Sequence, residues 1–233
     1  MGIFAHPDDE TFGPGGTLAK YSYLSHKTYV LTATRGQAGQ SSNRRIYLGT
    51  GYHRETELRR AAQILGVHQV MILDFFDGTL NEHQLPILKK EIEREVNIVN
   101  PDIIIIFDKT GISLHLDHVA VTKAVLQLYD EKRINPKKLY HFGMTKQMHK
   151  LLGINTCLCE NKLTKINIKD FWLIKIKAMK AHGSQQKDFR RMLERYKMLK
   201  KTSHNLWHFE HFELARTTLN NLKFPEDDLL SGL

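Results

Sequence analysis

The chain has little sulfur, no long apolar run and no low-complexity segment, and each shortage removes a class of protein. Cys157 and Cys159 are its only cysteines. They stand two apart, where a strand would point both to one face, and a disulfide between such near neighbours would be strained. A disulfide framework is therefore excluded, and ordinary reduced side chains are the expectation, since a lone C-x-C without a second cluster is a weak metal or redox signal. The longest apolar candidate, Ile103 to Phe107, falls far short of the ~20 residues that span a bilayer. The start runs from Met1 straight into His6-Pro7-Asp8-Asp9-Glu10, without the basic and apolar segments of a secretory signal, so a cytoplasmic location is expected. No repeat or linker breaks the 233 residues, and 41% hydrophobic content suffices for a sizeable core. One domain over residues 1–233 is the expectation, with 144–233 its least patterned portion.

Positive charge is abundant. A formal charge of +9 draws nucleic acid, anionic lipid or an acidic substrate, and charge alone does not choose among them. Lys187, Arg190, Arg191, Arg195, Lys197, Lys200 and Lys201 concentrate it on one stretch. A nucleic-acid or anion-binding protein is thus one reading. Charge runs are usually solvated faces, however, and no base-stacking motif accompanies this one; Trp172 and Trp207 fit a core better than a platform. No nucleic-acid partner is expected, and the positive field would instead favour an anionic small molecule.

Short apolar runs alternate with amphipathic stretches, the pattern of a largely parallel sheet with helical crossovers. The predicted strands are Gly2 to Ala5, Thr28 to Ala33, Gln69 to Leu73, Asp102 to Phe107 and Lys138 to Phe142. Predicted helices are Gly16 to Leu24, Arg54 to Leu65, Leu85 to Val99 and His118 to Tyr129; the second carries Leu58, Ala61, Ala62 and Leu65 on one stripe and stops at Gly66. An extended stretch from Asn155 to Ile168, helices Lys169 to Lys180 and Lys187 to Lys200, and a strand Leu206 to Leu214 follow. Open parallel sheets bind ligands beyond the carboxyl ends of their strands. Those ends carry His6 to Glu10, Thr34 to Gln40, Phe75 to Thr79 and Thr110 to His118.

Two of these loops carry metal-binding chemistry. His6 and Asp9, three apart at a turn entering a helix, can point at one ion, and His115-Leu116-Asp117-His118 adds two imidazoles and a carboxylate. A His, Asp, His set with a vacant position is what a catalytic zinc needs, because zinc can lower the pKa of bound water to ~7 and polarise a carbonyl. Asp8 is then the general base. His115 stabilises an oxyanion or protonates the departing amine, and Asp117 orients an imidazole. The plain alternatives are surface or satisfied polar histidines, common in a chain with 13 histidines in all, and Asp8 or Asp9 as a helix N-cap.

At these residues the chain resembles the LmbE-like (PIG-L) N-acetylglucosaminyl deacetylase family. Ala5-His6-Pro7-Asp8-Asp9-Glu10 carries the resemblance first, then His115 to His118. Further support comes from Phe12 to Leu18, Thr34 to Gly39, Arg54 with the Glu57 to Val67 helix, Asp77-Gly78 and Ala181 to Gln185. The resemblance implies a Rossmann-like α/β fold, one divalent zinc per chain held by His6, Asp9 and His118, and hydrolysis of the acetamide of an N-acetylglucosaminyl compound. It implies Asp8 as base, His115 as electrostatic partner of the transition state, and Arg54 and Asp77 as sugar contacts. The plain alternatives are a helix-surface charge for Arg54 and a turn residue before Gly78 for Asp77, with the functional reading preferred, while His182 and Gln185 stay open between function and structure. Amide hydrolysis of a bulkier conjugate is a neighbouring alternative. The chain departs from the family pattern at Leu116, where proline is usual, at Gln37, where glutamate is common, and at Ser113, where some relatives carry a tyrosine.

Overall fold

The computed structural model describes residues 1–39, 50–146, 148, 158, 160–202 and 206–233. Cys157 and Cys159 lie outside them, as does most of the segment between Gln40 and Tyr52. Within them strands and helices alternate along the chain, and the strands are mostly parallel, the α/β class that the apolar pattern predicts. Two compact units result, one of Met1–Ala5, Gly78–Ile166 and His211–Leu233, the other of His6–Asp77 and Asn167–Glu210.

In the first unit the strand order is β1 (Gly2–Phe4), β4 (Ile103–Phe107), β5 (Lys138–Gly143), β7 (Phe209–Thr217) and β6 (Leu163–Asn167). Strands β1 and β5 flank β4 in parallel, and β7 runs antiparallel to β5. Strand β4 reads Ile-Ile-Ile-Ile-Phe without alternation and β5 is buried at every position, as expected of strands covered on both faces. Helix α4 (Leu85–Val99) turns Leu85, Leu88, Ile92 and Val96 inward at three- and four-residue spacing. It packs on α6 (Leu116–Asp130), which follows the single turn α5 (Gly111–Leu114). Asn100 ends α4 in the left-handed conformation that an asparagine C-cap tolerates. The Glu226 carboxylate accepts from Lys138 Nζ at 2.7 Å, Tyr140 OH at 2.6 Å and Thr164 Oγ1 at 3.0 Å, tying the C-terminal segment to β5 and β6.

The second unit pairs β2 (Tyr29–Thr34) with β3 (Gln69–Phe75) in parallel, Tyr29 opposite Gln69. Its helices are α1 (Asp9–Phe12), α2 (Gly15–Tyr23), α3 (Thr50–Leu65), α7 (Trp172–Ala181) and α8 (Gln186–Thr202). Helix α3 buries the expected Leu58, Ala61, Ala62, Leu65 stripe and ends at Gly66 with φ 76°, and among the described residues it already includes Thr50, a turn before Arg54. Arg54 therefore sits inside the helix. Glu210 lies at the start of α2, accepting from the Gly16 and Thr17 amides at 2.9 and 2.7 Å, where the exposed N–H groups of a helix favour an anion. Lys175 of α7 neutralises it at 2.6 Å. The last predicted strand starts at Phe209 instead of Leu206 because Leu206–His208 forms a 3₁₀ turn. Among the described residues no helix is long and apolar enough to cross a membrane.

Candidate active site

The loop His6 to Glu10 is set by one backbone reversal. Asp8 takes φ 106°, a left-handed conformation that costs most L-residues about 1–2 kcal/mol and that aspartate and asparagine tolerate best. Its carbonyl then accepts from the Thr11 and Phe12 amides at 3.0 and 2.9 Å, starting α1. Its carboxylate makes no capping bond, so the N-cap alternative does not describe that side chain. The reversal turns Asp9 back: Asp9 Oδ2 accepts from the His6 amide at 2.9 Å and lies 3.8 Å from His6 Nδ1. On the other edge of the ring, His6 Nε2 is 2.9 Å from Asp77 Oδ1. Of the expected site residues, His6, Asp8, Asp9, Arg54 and Asp77 are brought together in this unit.

Arg54 is the tie among them. From inside α3 its guanidinium donates to Gly36 O at 2.8 Å and Pro7 O at 2.5 Å, lies 3.2 Å from Asp8 Oδ2 and reaches Asp77 Oδ2 at 4.0 Å. Gly36 has φ 66°, and a Cβ there would collide with the guanidinium. Burial raises the Asp8 pKa to about 6; the Arg54 charge opposes that shift and the neighbouring Asp9 and Glu10 charges assist it. Asp77 goes the other way. Burial pushes it up, but the hydrogen bond and charge of His6, the Arg54 charge and the Ala38 amide outweigh burial and hold it below its ordinary value.

Sequence reasoning left two further carboxylates of this unit without a role. Glu10 Oε2 accepts from the Asp8 amide at 2.9 Å, and Glu10 Oε1 lies 2.7 Å from His182 Nε2, both side chains fully buried. Glu57 accepts from the Ser184 amide and hydroxyl at 2.7 and 2.6 Å. Both partners lie more than a hundred residues away, and no local periodicity signals such pairs.

In the first unit, Asp108 follows β4 and its Oδ1 accepts from Thr110 N at 2.8 Å, Thr110 Oγ1 at 2.6 Å and Ile112 N at 3.3 Å, shaping the turn as Asx residues do. The Asp-x-Thr triplet was a signal for that turn. Ile112 and Leu114 then adopt φ 60° and 61°, rare for aliphatic residues, in a turn that leads to His115. His115 caps α6, its Nδ1 accepting from the Asp117 amide at 3.2 Å. That bond assigns the ring proton to Nε2. Leu116 occupies the first helical position, where proline is favoured but any good helix former serves, so α6 starts in place without the usual proline. The Asp117 carboxylate accepts from the Gly78 and Leu80 amides at 2.7 and 3.0 Å, anchoring the chain before α4. His118 Nδ1 is 2.8 Å from Gly111 O, a carbonyl that can only accept, so Nδ1 carries a proton. The His115 and His118 rings lie 5.0 Å apart. The groups able to take a divalent ion include His6 and Asp77 in the second unit and His115, Asp117 and His118 in the first.

Residues 1–129 match the profile of the PIG-L family, described as GlcNAc-PI de-N-acetylase. The chain belongs to this family. It is 28% identical, over 78% of its length and 81% of the relative's, to a probable N-acetyl-alpha-D-glucosaminyl L-malate deacetylase 2 of Bacillus cereus. A mycothiol S-conjugate amidase of Streptomyces coelicolor is also 28% identical, matching 100% of this chain and 96% of its own. The crystal structure of the conserved protein TT1542 from Thermus thermophilus superposes with TM-score 0.72 at 21% identity, over 94% of this chain and 95% of that one, and so shares the fold. Deacetylases and amidases cleave the same bond, an amide C–N. That is the reaction class of the family to which this PIG-L chain belongs.

Proposed function

We propose that this chain is a zinc-dependent hydrolase that removes the N-acetyl group from an N-acetylglucosaminyl compound, with His6, Asp9 and His118 as ligands, Asp8 as general base and His115 as the electrostatic partner of the transition state. The observation that carries the proposal is the orientation of the donors. His118 is held through Nδ1 by Gly111 O, so it would bind an ion through Nε2, in the way that an outer hydrogen bond orients metal-bound histidines. Asp9 presents its carboxylate beside the His6 ring. Nitrogen and carboxylate oxygen donors, without thiolates, suit a catalytic zinc with an open position. Zinc held there supplies Lewis acidity to an amide carbonyl and to the attacking water.

The chain's own residues do the rest. Asp8, with a pKa near 6, is ionised at neutral pH and still basic enough to take the proton of the water that attacks the acetamide carbonyl. His115, whose Nδ1 accepts from the Asp117 amide, is assigned to act through Nε2 on the oxygen that gains charge as the tetrahedral centre forms. Collapse breaks the C–N bond, and the proton held by Asp8 passes to the departing amine, giving acetate and a free amino sugar. Arg54 and Asp77 act in this scheme through Asp8 and His6, which they hold, and a direct sugar contact is not required of them. The net positive charge favours an anionic sugar conjugate.

Acetate release from a panel of N-acetylglucosaminides tests the proposal, with glycosides of inositol and malate and short chitooligosaccharides included. Zinc-loaded protein should release acetate from at least one member, and release from none would overturn the reading. Alignment with the Streptomyces amidase over the whole chain favours a second reading, cleavage of a bulkier amide on the same scaffold. Turnover of non-acetyl amides with none of acetyl ones would select it.

A further inference from the structure

The Glu10 carboxylate does two things at once. Oε2 accepts from the backbone amide of Asp8 at 2.9 Å, and Oε1 is 2.7 Å from Nε2 of His182. Neither Glu10 nor His182 has exposed side-chain surface, so neither can touch a substrate. His182 stands at the end of α7, in a turn closed by His182 N to Met179 O at 3.2 Å and Gln185 N to His182 O at 3.0 Å. That turn has a second anchor, Glu57 of α3 bound to the amide and hydroxyl of Ser184 at 2.7 and 2.6 Å. A rigid helix end, fastened by one carboxylate, thus presents an imidazole to another carboxylate whose far oxygen holds the Asp8 amide.

The Asp8 amide is a singular place to hold. Asp8 is the one residue of the His6 to Glu10 loop in the left-handed region, at φ 106°, and its side-chain direction is set by that peptide. Without the carboxylate on its N–H, the residue would relax toward ordinary dihedrals and swing the side chain away from Arg54, now 3.2 Å from Asp8 Oδ2.

We propose that His182 and Glu10 are positioning residues: His182 orients Glu10 so that Glu10 locks the strained Asp8 peptide and thereby aims the Asp8 carboxylate. The consequence for turnover rests on the hydrolase reading above; the consequence for the Asp8 peptide does not. A lost aim of about 1 Å costs about 100-fold in rate with little change in binding. His182→Ala should therefore lower kcat by about 10- to 100-fold while KM stays within about twofold and zinc stoichiometry is kept. His182→Gln, whose amide can still donate to Glu10, should recover most of kcat.

Amide hydrogen exchange reads the lock without turnover. In the full-length wild type the Asp8 amide should be protected, and in folded His182→Ala it should exchange at least tenfold faster, while amides of α3 keep their rates. The proposal fails if the wild-type Asp8 amide is unprotected, or if folded His182→Ala leaves kcat and Asp8 exchange at wild-type values. It also fails if His182→Gln is no better than His182→Ala at equal melting temperature. A wild type that cleaves no amide but shows the exchange pattern would sink the hydrolase reading and leave the lock standing.

Discussion

His6 Nε2 lies 2.9 Å from Asp77 Oδ1 while Nδ1 of the same ring faces Asp9 Oδ2 at 3.8 Å, so carboxylates flank both edges of one buried imidazole. Asp77 is itself pinned through Oδ2 by the Ala38 amide at 3.2 Å. It therefore fixes the ring against rotation. An outer partner of a metal-binding histidine is worth about 10- to 100-fold in affinity, so on the proposed reading of His6 as a zinc ligand Asp77→Asn should weaken zinc binding by about that factor. Competition against a chromophoric chelator measures it, and unchanged affinity would show that His6 needs no help from Asp77.

Backbone and chemistry make different demands on Asp8, and substitutions can separate them. Asparagine tolerates a left-handed φ nearly as well as aspartate but cannot take a proton, so Asp8→Asn should fold with a near wild-type melting temperature and lose about 10²- to 10⁴-fold in kcat. A β-branched residue at φ 106° adds strain of about 1–3 kcal/mol, so Asp8→Val should be both inactive and less stable. Equal activity of Asp8→Asn and wild type would remove Asp8 from the role of base.

The parts of the fold legible in the sequence were those written locally. The Leu58, Ala61, Ala62, Leu65 stripe, the Ile103 to Phe107 run and the stop at Gly66 each encode one element in consecutive residues, and each stands where the pattern places it. The motif residues at His6 to Glu10 and His115 to His118 were visible because their types and spacings are unusual. What stayed hidden were partnerships across the chain: Glu10 with His182, Glu57 with Ser184, Lys175 with Glu210. Burial of a carboxylate leaves no mark in a sequence until its distant partner is known. The left-handed turns at Ile112 and Leu114 were equally silent, because neither residue type favours that conformation.

The network around Glu226 makes a prediction about stability alone. Lys138 has no exposed side-chain surface and Glu226 almost none, so removing one charge leaves the other buried and uncompensated. Lys138→Met should destabilise the protein by about 3–5 kcal/mol in denaturant unfolding. The double replacement Lys138→Met, Glu226→Gln removes both charges and keeps acceptors for Tyr140 and Thr164, so it should recover much of that loss. A double variant no more stable than the single one would mean that the ion pair is not what holds the C-terminal segment.

Two buried histidines that the proposed chemistry does not use should shape the acid side of the stability curve. Burial lowers the pKa of His141 on β5 from 6.5 to about 4, with the Asp108 charge resisting and the Lys109 and Arg216 charges assisting. Burial likewise lowers His211 on β7 to about 4, assisted by Lys165. In the unfolded chain both would titrate near 6.5. As pH falls below 6.5 the unfolded state therefore takes up protons that the folded state refuses, and stability declines until about pH 4, below which the two states bind equally. A shift of that size corresponds to about 3 kcal/mol for each histidine. Denaturant midpoints measured between pH 7 and 4 should fall steeply in the wild type and less steeply in His211→Phe, whose ring keeps the site apolar and has no proton to gain. If wild type and variant fall in parallel, His211 is protonated in the folded state and its burial is not what governs the acid limb.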